Sequence, residues 1–398
     1  MKSAIALFAL MSGVAAAQTP EPLRLGVIND QSGIYSDAGG TGTVAAARIA
    51  VEEFGGKVLG RPIEIVVGDD QNKPDIAATL ARDWIDTQHV TALFDGGGSA
   101  AGLAIQQIAR EKNKLFLITG SGTTELSNGS CSPVGFQWAW DSYALAAGTV
   151  NALTRDGAKS WFFITPDYTF GHVMEGQAAA MVKADGGTVL GNSLHPFGAT
   201  DYSSFLLQAQ ASGAQAVALS SSGGDAINAI KQAREFGLMA GKQRIAGMML
   251  TVVEVHSIGL DTAQGLIVTT PFYWDLNERT RAFATRFMKD VNHPPSYLQA
   301  GAYSAMLAYL RAVQAAGTTD TERVAAKLRT MRVNDAMTDD GWVRADGKLM
   351  RDMYVMQVKT PAESHGAWDL YKPLYTIPKD QAAMPLSDSK CPLVHKDG

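Results

Sequence analysis

The chain has 398 residues, 46% of them hydrophobic and 18% charged, with 40 glycines and a formal charge of −5. That length and balance suit two α/β cores, and they exclude a disordered arm or a fibrous chain. Nucleic acid and anionic membrane surfaces are excluded as partners too, because no dense Lys/Arg cluster supplies the positive charge that phosphate binding needs.

Lys2 precedes an apolar run from Ala4 to Val14, and Ala15-Ala16-Ala17 follow. The run is too short to span a bilayer, and small residues at Ala15 and Ala17 suit signal peptidase, so residues 1–17 are expected to be a cleaved secretory leader. The competing reading is an apolar N-terminal helix of a cytoplasmic protein.

From Leu23 onward, short β-branched or apolar runs alternate with helical patterns, the signature of parallel sheets covered by helices. Leu23 to Ile28 is the first expected strand, and Tyr35 and Asp37 lie in the long polar and glycine-rich loop after it. Val44, Ala47, Val51 and Phe54 form one helical stripe that Gly55-Gly56 stops. Strands follow at Ile63–Val67, Val90–Phe94 and Leu115–Ile118, with helices near Pro74–Gln88 and Ala100–Lys112. A second series begins at Ser160–Ile164 and runs through Gln215–Ser220 and Arg244–Met249 to Leu266–Thr269. Helices carrying Phe283 and Phe287, then Met306, Leu310 and Val313, then Val324, Leu328 and Met331, precede a strand at Met353–Val358. The tail beyond that strand is expected to be irregular and broken by prolines.

Cys131 and Cys391 are the two cysteines, and an exported chain meets oxidising conditions, so they are predicted to pair and pin the tail. The alternative is two separate buried thiols. A metal site is not expected, since two distant thiols and scattered histidines make no ligand set.

Enzyme motifs fit poorly. Gly97-Gly98-Ser99-Ala100-Ala101 lacks the last glycine of a nucleophile elbow. Gly40, Gly42 and Ala45 match G-x-G-x-x-A but stand about ten residues past the strand, where a dinucleotide site needs a tight turn, so they are assigned to a flexible loop and N-cap. No phosphate-cradling loop occurs, and no cofactor is expected.

Small and hydroxylated residues after predicted strands are the better signal, because ligands of open α/β sheets bind there. Gly96-Gly97-Gly98-Ser99 and Thr119-Gly120-Ser121-Gly122-Thr123 would let backbone N–H groups and a helix N-terminus approach an anion. The plainer reading of each segment is a tight turn. Facing them stand Asp167-Tyr168-Thr169-Phe170-Gly171 and Ser221-Ser222-Gly223-Gly224-Asp225. Tyr168 and Phe170 are candidates to cover a ring, and Asp225 either accepts a ligand hydrogen bond or caps its own helix. Phe272, Tyr273 and Trp274 form either a cleft wall or interface packing.

Several segments together resemble the periplasmic substrate-binding proteins of ATP-driven (ABC) importers, branched-chain-amino-acid type. They are Gly26-Val27-Ile28 to Ser32-Gly33, Val44 to Phe54, Leu59-Gly60-Arg61-Pro62, Asp69 to Pro74, Asp167 to Gly171, Ile230 to Gly237 and Gly265-Leu266-Ile267-Val268. The resemblance covers the chain after the leader and implies a type I periplasmic binding protein: two doubly wound Rossmann-like α/β lobes joined by a three-segment hinge. The expected division is 23–142 with 274–345 for lobe 1, 143–273 with 346–376 for lobe 2, and 377–398 as a tail tied back to lobe 1. Ser99, Ala101, Gly120, Ser121 and Gly122 resemble the family's carboxylate-binding positions, and Phe170 its aromatic lid. The full candidate set adds Tyr35, Asp37, Ala100, Tyr168, Gly223, Asp225, Met249 and Trp274.

One departure shapes the expected ligand. Amino-acid binders of this family carry an acid for the ligand ammonium just after the strand Arg244–Met249, where this chain has Met248-Met249-Leu250. A buried ammonium without countercharge is costly, which disfavours an ordinary α-amino acid unless Asp225 or Glu254 substitutes. The expectation is therefore a periplasmic, monomeric receptor for a small carboxylate, of the family's aromatic-acid branch, that delivers to a membrane permease. The other readings are an amino-acid binder and a ligand-sensing signalling subunit. The latter is expected to continue into a membrane anchor or output domain, and no stretch after the leader is long and apolar enough to be one.

Overall fold

A computed structural model describes residues 20–241 and 243–394, so the leader expected at 1–17 lies outside the described residues. Lobe 1 begins with β1 (Leu23–Asn29), α1 (Gly40–Phe54), β2 (Lys57–Val58), β3 (Arg61–Asp69), α2 (Pro74–Asp86), β4 (Ala92–Asp95), α3 (Ser99–Glu111), β5 (Leu115–Ile118) and β6 (Gly135–Gln137). These strands form one sheet in the order β2-β3-β1-β4-β5-β6, parallel except for the β2–β3 hairpin. The winding direction reverses between β1 and β4, where Ile28 pairs with Asp95. In open α/β sheets such a switch point leaves a crevice beyond the strand ends.

The chain crosses along α4 (Ser142–Arg155) into lobe 2, which holds β7 (Ser160–Pro166), α5 (Thr169–Ala184), β8 (Thr188–His195), α6 (Ser203–Ala211), β9 (Ala216–Leu219), α7 (Gly223–Glu235), β10 (Arg244–Gly247), α8 (Val252–Ile258), α9 (Leu260–Ala263) and β11 (Ile267–Thr270). Its parallel sheet runs β10-β9-β7-β8. The sequence reading missed β8, because Thr-Val-Leu-Gly-Asn-Ser-Leu-His is a half-exposed edge strand without a continuous apolar run. β11 does not close the parallel series as expected; it pairs antiparallel with a later strand.

The chain returns to lobe 1 with α10 (Glu278–Phe287), α11 (Tyr297–Ala316), α12 (Thr321–Thr330), β12 (Trp342–Val343) and β13 (Leu349–Met350), then recrosses to β14 (Met353–Val358) and β15 (Tyr371–Ile377). The lobes are the doubly wound α/β units that the resemblance implied. α11 is buried nearly all round, which suits a helix enclosed by the core rather than laid upon it. Its Ser296–Gln299 capping box starts it and left-handed Gly317 ends it.

Three expectations need correction. Gly40 and Gly42 are not a flexible loop: both are buried within α1, whose N-cap is Gly39. The missing Gly42 side chain leaves room for Gln299 of α11, whose amide donates to Gly39 O at 3.1 Å. The tail is not irregular at its start, because β15 pairs with β14 and takes up Pro373 beside a bulge at Val355/Met356. The last crossing falls later than residue 346, since Lys348 still bridges Gln137 of lobe 1 and β13 pairs with β12. Cys131 and Cys391 form a disulfide with Cα atoms 5.6 Å apart, which holds the tail against lobe 1 as predicted.

Candidate ligand-binding site

The C-terminal strand ends of both lobes face each other across a cavity that both lobes line, where ligands of open α/β sheets bind. The cleft is closed. Tyr35 of lobe 1 shares a hydroxyl–hydroxyl hydrogen bond with Tyr168 of lobe 2, and the Gln177 amide reaches Thr124 Oγ1 at 2.6 Å. Gly223 lies directly against the Ile34 carbonyl, where a Cβ would meet the oxygen at 2.6 Å, so glycine is what lets the lobes meet there.

Lobe 1 supplies the polar floor. β4 delivers Asp95 in a left-handed conformation, φ 79°, that bulky side chains avoid and Asp tolerates. Gly96 and Gly97 follow, also left-handed, and Gly98 is the N-cap of α3. Gly98 provides no side-chain cap, so the first N–H groups of α3 stay open to a ligand, and the helix dipole favours an anion there. Ser99 lines the cavity, is 3% exposed, and its Oγ has no hydrogen-bond partner among the described residues. Gly120 and Gly122 complete this wall; a Cβ on Gly122 would enter the Trp140 indole.

Aromatic rings form the remaining walls. Trp140 donates Nε1–H to Thr119 O at 3.1 Å and packs edge-on against Phe170, 6.0 Å away, and Tyr297, 5.7 Å away. Tyr168 and Phe170 enter from the first turn of α5, and Met249 enters from the segment after β10. The charged residues of the lining are Asp30 and Asp95, with no Lys, Arg or His among them. Asp30 accepts from Gly33 N at 2.6 Å and Tyr35 N at 3.1 Å, which shapes the loop that presents Tyr35. Burial pushes the Asp95 carboxyl up to about 6, against the opposing pull of its hydrogen bonds. Asp70 stands behind Gly97; burial, with Asp95, Asp30 and Asp69 nearby, raises it to about 7 although Asn72 N donates to it.

The structure brings Tyr35, Ser99, Gly120, Gly122, Tyr168, Phe170 and Met249 together at the cavity, and it places the other candidates elsewhere. Ser121 spends its hydroxyl on the carbonyls of Gly96, Gly97 and Gly98 at 2.9, 3.1 and 3.0 Å, so it holds the glycine loop rather than a ligand. Ala101 packs into the core, Ala100 lies one residue along α3 outside the lining, and Asp37 is exposed. Gly223 serves the lobe contact. Asp225 neither faces the cavity nor caps its own helix, because Tyr202 Oη at 3.0 Å and Gly198 N at 3.2 Å occupy it. Glu254 is likewise spent, receiving Gly223 N, Thr251 N and Ser222 Oγ. Trp274 donates to Trp368 O at 3.0 Å, while Phe272 and Tyr273 are buried in packing. Sequence reasoning missed Asn29, Asp30, Asp95, Trp140 and Leu298. The strand-end rule already pointed to the first three, which terminate or follow β1 and β4.

Two wound α/β lobes, crossed by three segments and closed over a cavity at their strand ends, define a ligand-capturing clamp. The chain belongs to the periplasmic binding protein family, which it matches over residues 22–366. Members of this family are solute-binding proteins rather than enzymes. A periplasmic binding protein from Burkholderia mallei is 44% identical, with a TM-score of 0.91 over 94% of this chain and 99% of that one. A branched chain amino acid ABC transporter periplasmic ligand-binding protein from Burkholderia xenovorans LB400 is 40% identical, with a TM-score of 0.85 over 94% of this chain and all (100%) of its own. Leu/Ile/Val-binding protein homolog 4 of Brucella abortus (strain 2308) is 25% identical across 98% of this chain and 97% of its own length. No helix among the described residues is long and apolar enough to cross a membrane.

Proposed function

We propose that this protein is a monomeric periplasmic receptor of an ABC-type importer, capturing a small carboxylate with an aromatic or apolar body and handing it to a membrane permease. One observation carries the reading: Ser99 Oγ, buried and without a partner among the described residues, stands at the uncapped N-terminus of α3 on the cavity wall. A buried hydroxyl with no partner costs free energy that a ligand oxygen recovers. Tyr35, Trp140, Tyr168, Phe170 and Met249 offer an aromatic and polarizable surface for the rest of the ligand. The lobe 2 segment that resembles the site of the ammonium-binding acid of amino-acid binders is Met248-Met249-Leu250, which carries no acid and supports an aromatic or apolar acid over an α-amino acid.

Asp30 and Asp95 favour a second reading, an amino-acid-like ligand whose amine one of these lobe 1 carboxylates receives. Calorimetry with benzoate, its hydroxy derivatives, phenylpropanoids and Leu, Ile and Val separates the two. The first reading expects the aromatic acids to bind and to raise the melting temperature, with about 2.7 kcal/mol gained at 100 times the dissociation constant. Binding by the amino acids alone establishes the second, and a panel without any binder rejects both.

A further inference from the structure

Asp225 lies away from the ligand cavity, yet it is buried and its carboxylate is engaged by Tyr202 Oη and Gly198 N. Both donors belong to the segment 196–202 that joins β8 to α6 in lobe 2. Gln232 of α7 fixes the same segment, accepting from Tyr202 N at 2.7 Å and donating to Thr200 O at 2.8 Å. The imidazole of buried His195 donates from Nδ1 to Pro196 O at 2.9 Å and packs edge-on against Tyr202, 5.0 Å away. A connection tied at so many points holds its remaining side chain in a narrow range of positions.

That side chain is Phe197. It is 41% exposed, and it belongs neither to the buried cores nor to the wall of the ligand cavity. Its ring packs edge-on against Tyr168 of its own lobe at 4.8 Å and stands 6.0 Å from Tyr35 of lobe 1. Tyr35 and Tyr168 both line the cavity and share the hydroxyl hydrogen bond that crosses the cleft, so Phe197 covers that pair on its solvent side. When the lobes part, the Phe197–Tyr35 contact is lost and apolar surface returns to water. Closure regains that burial together with the edge attraction between the rings.

We propose that Phe197 is a closure-determining residue: with Tyr35 and Tyr168 it forms a three-ring clasp over the mouth of the cleft that favours the closed arrangement of the lobes and slows solute release. The clasp is protein against protein, so it acts whatever molecule the cleft captures.

The native cysteines are joined to each other, so cysteines introduced at exposed Lys73 of lobe 1 and Gln208 of lobe 2 take spin labels selectively. Pulsed electron resonance on the full chain, with no solute added, should show a closed population. Phe197→Ala should lower the closed-to-open ratio about 2- to 10-fold, the worth of one ring pair across the cleft, and Phe197→Tyr, which keeps the ring, should hold the parent's ratio. A parent without a closed population, or an equal ratio in Phe197→Ala, overturns the proposal, and neither result bears on which solute the cleft prefers. Stopped-flow release of benzoate, or of leucine where the amino-acid reading holds, should quicken by the same factor with little change in the association rate. An unchanged release rate overturns the role in retention. Should Phe197→Ala fail to fold, Phe197→Leu carries the same comparison.

Discussion

Replacing Ser99 by alanine tests the binding site with two readouts that should move in opposite directions. Ser99 Oγ is buried and has no hydrogen-bond partner among the described residues, so its loss removes no hydrogen bond within the chain and relieves a desolvated hydroxyl. Such a group costs about 1–3 kcal/mol, and alanine also suits the first turn of a helix. Urea unfolding of ligand-free Ser99→Ala should therefore give a stability equal to or above the parent. On the proposed reading the hydroxyl faces a carboxylate in the complex, and a hydrogen bond to a charged group contributes about 1.5–3 kcal/mol. Calorimetry should accordingly show a dissociation constant raised roughly 10- to 100-fold for the best-binding carboxylate. Unchanged affinity, or a variant that is clearly less stable without ligand, would refute the assignment of Ser99 to the ligand. The neighbouring Ser121 is the contrast: Ser121→Ala removes the one O–H donor that the carbonyls of Gly96, Gly97 and Gly98 surround and should reduce stability and affinity together.

The raised carboxyls predict a particular pH dependence. Asp70 is held near 7 and Asp95 near 6, both above the unfolded value, so the stability they contribute is present below about pH 4 and is lost as pH rises through those folded values. Asp70→Asn keeps the oxygen that receives Asn72 N and should flatten that decline, gaining on the order of 2–4 kcal/mol over the parent at pH 8 in denaturant titrations. An unaltered pH profile in Asp70→Asn would contradict the burial argument. Reduction of the disulfide, or Cys391→Ser, opens a closure of 260 residues in sequence and should cost on the order of 5 kcal/mol, seen as a fall in melting temperature under reducing conditions. Gly122→Ala drives a methyl into the Trp140 indole, which Thr119 O, Phe170 and Tyr297 hold in place. It should cost about 1–3 kcal/mol of stability and weaken ligand binding in the same titration.

Sequence patterns carried the architecture well where periodicity and strand-end chemistry agree. The strand Leu115–Ile118 and the helix beginning at Pro74 were legible because continuous apolar runs and an N-terminal proline mark them locally. The glycine-rich segments after β4 and β5 pointed to the cavity for the same local reason. Failures came where the partner was distant. Gly40 and Gly42 look like a loop until Gln299, far along the chain, fills the space a Gly42 side chain would occupy. β15 looks irregular until β14 pairs with it.

The residues alone determined the alternation of strands and helices, the positions of the strand ends and the chemistry concentrated there, because backbone propensity and hydrophobic period act over a few residues. They also pointed to the Cys131–Cys391 link through the compartment that the leader implies. Only the packed lobes decided which polar groups remain available: Ser121, Asp225 and Glu254 find partners, while the Ser99 hydroxyl has none among the described residues. The physical reason is that satisfaction of a buried polar group depends on atoms brought together across the whole chain, and local sequence carries no record of which neighbours arrive.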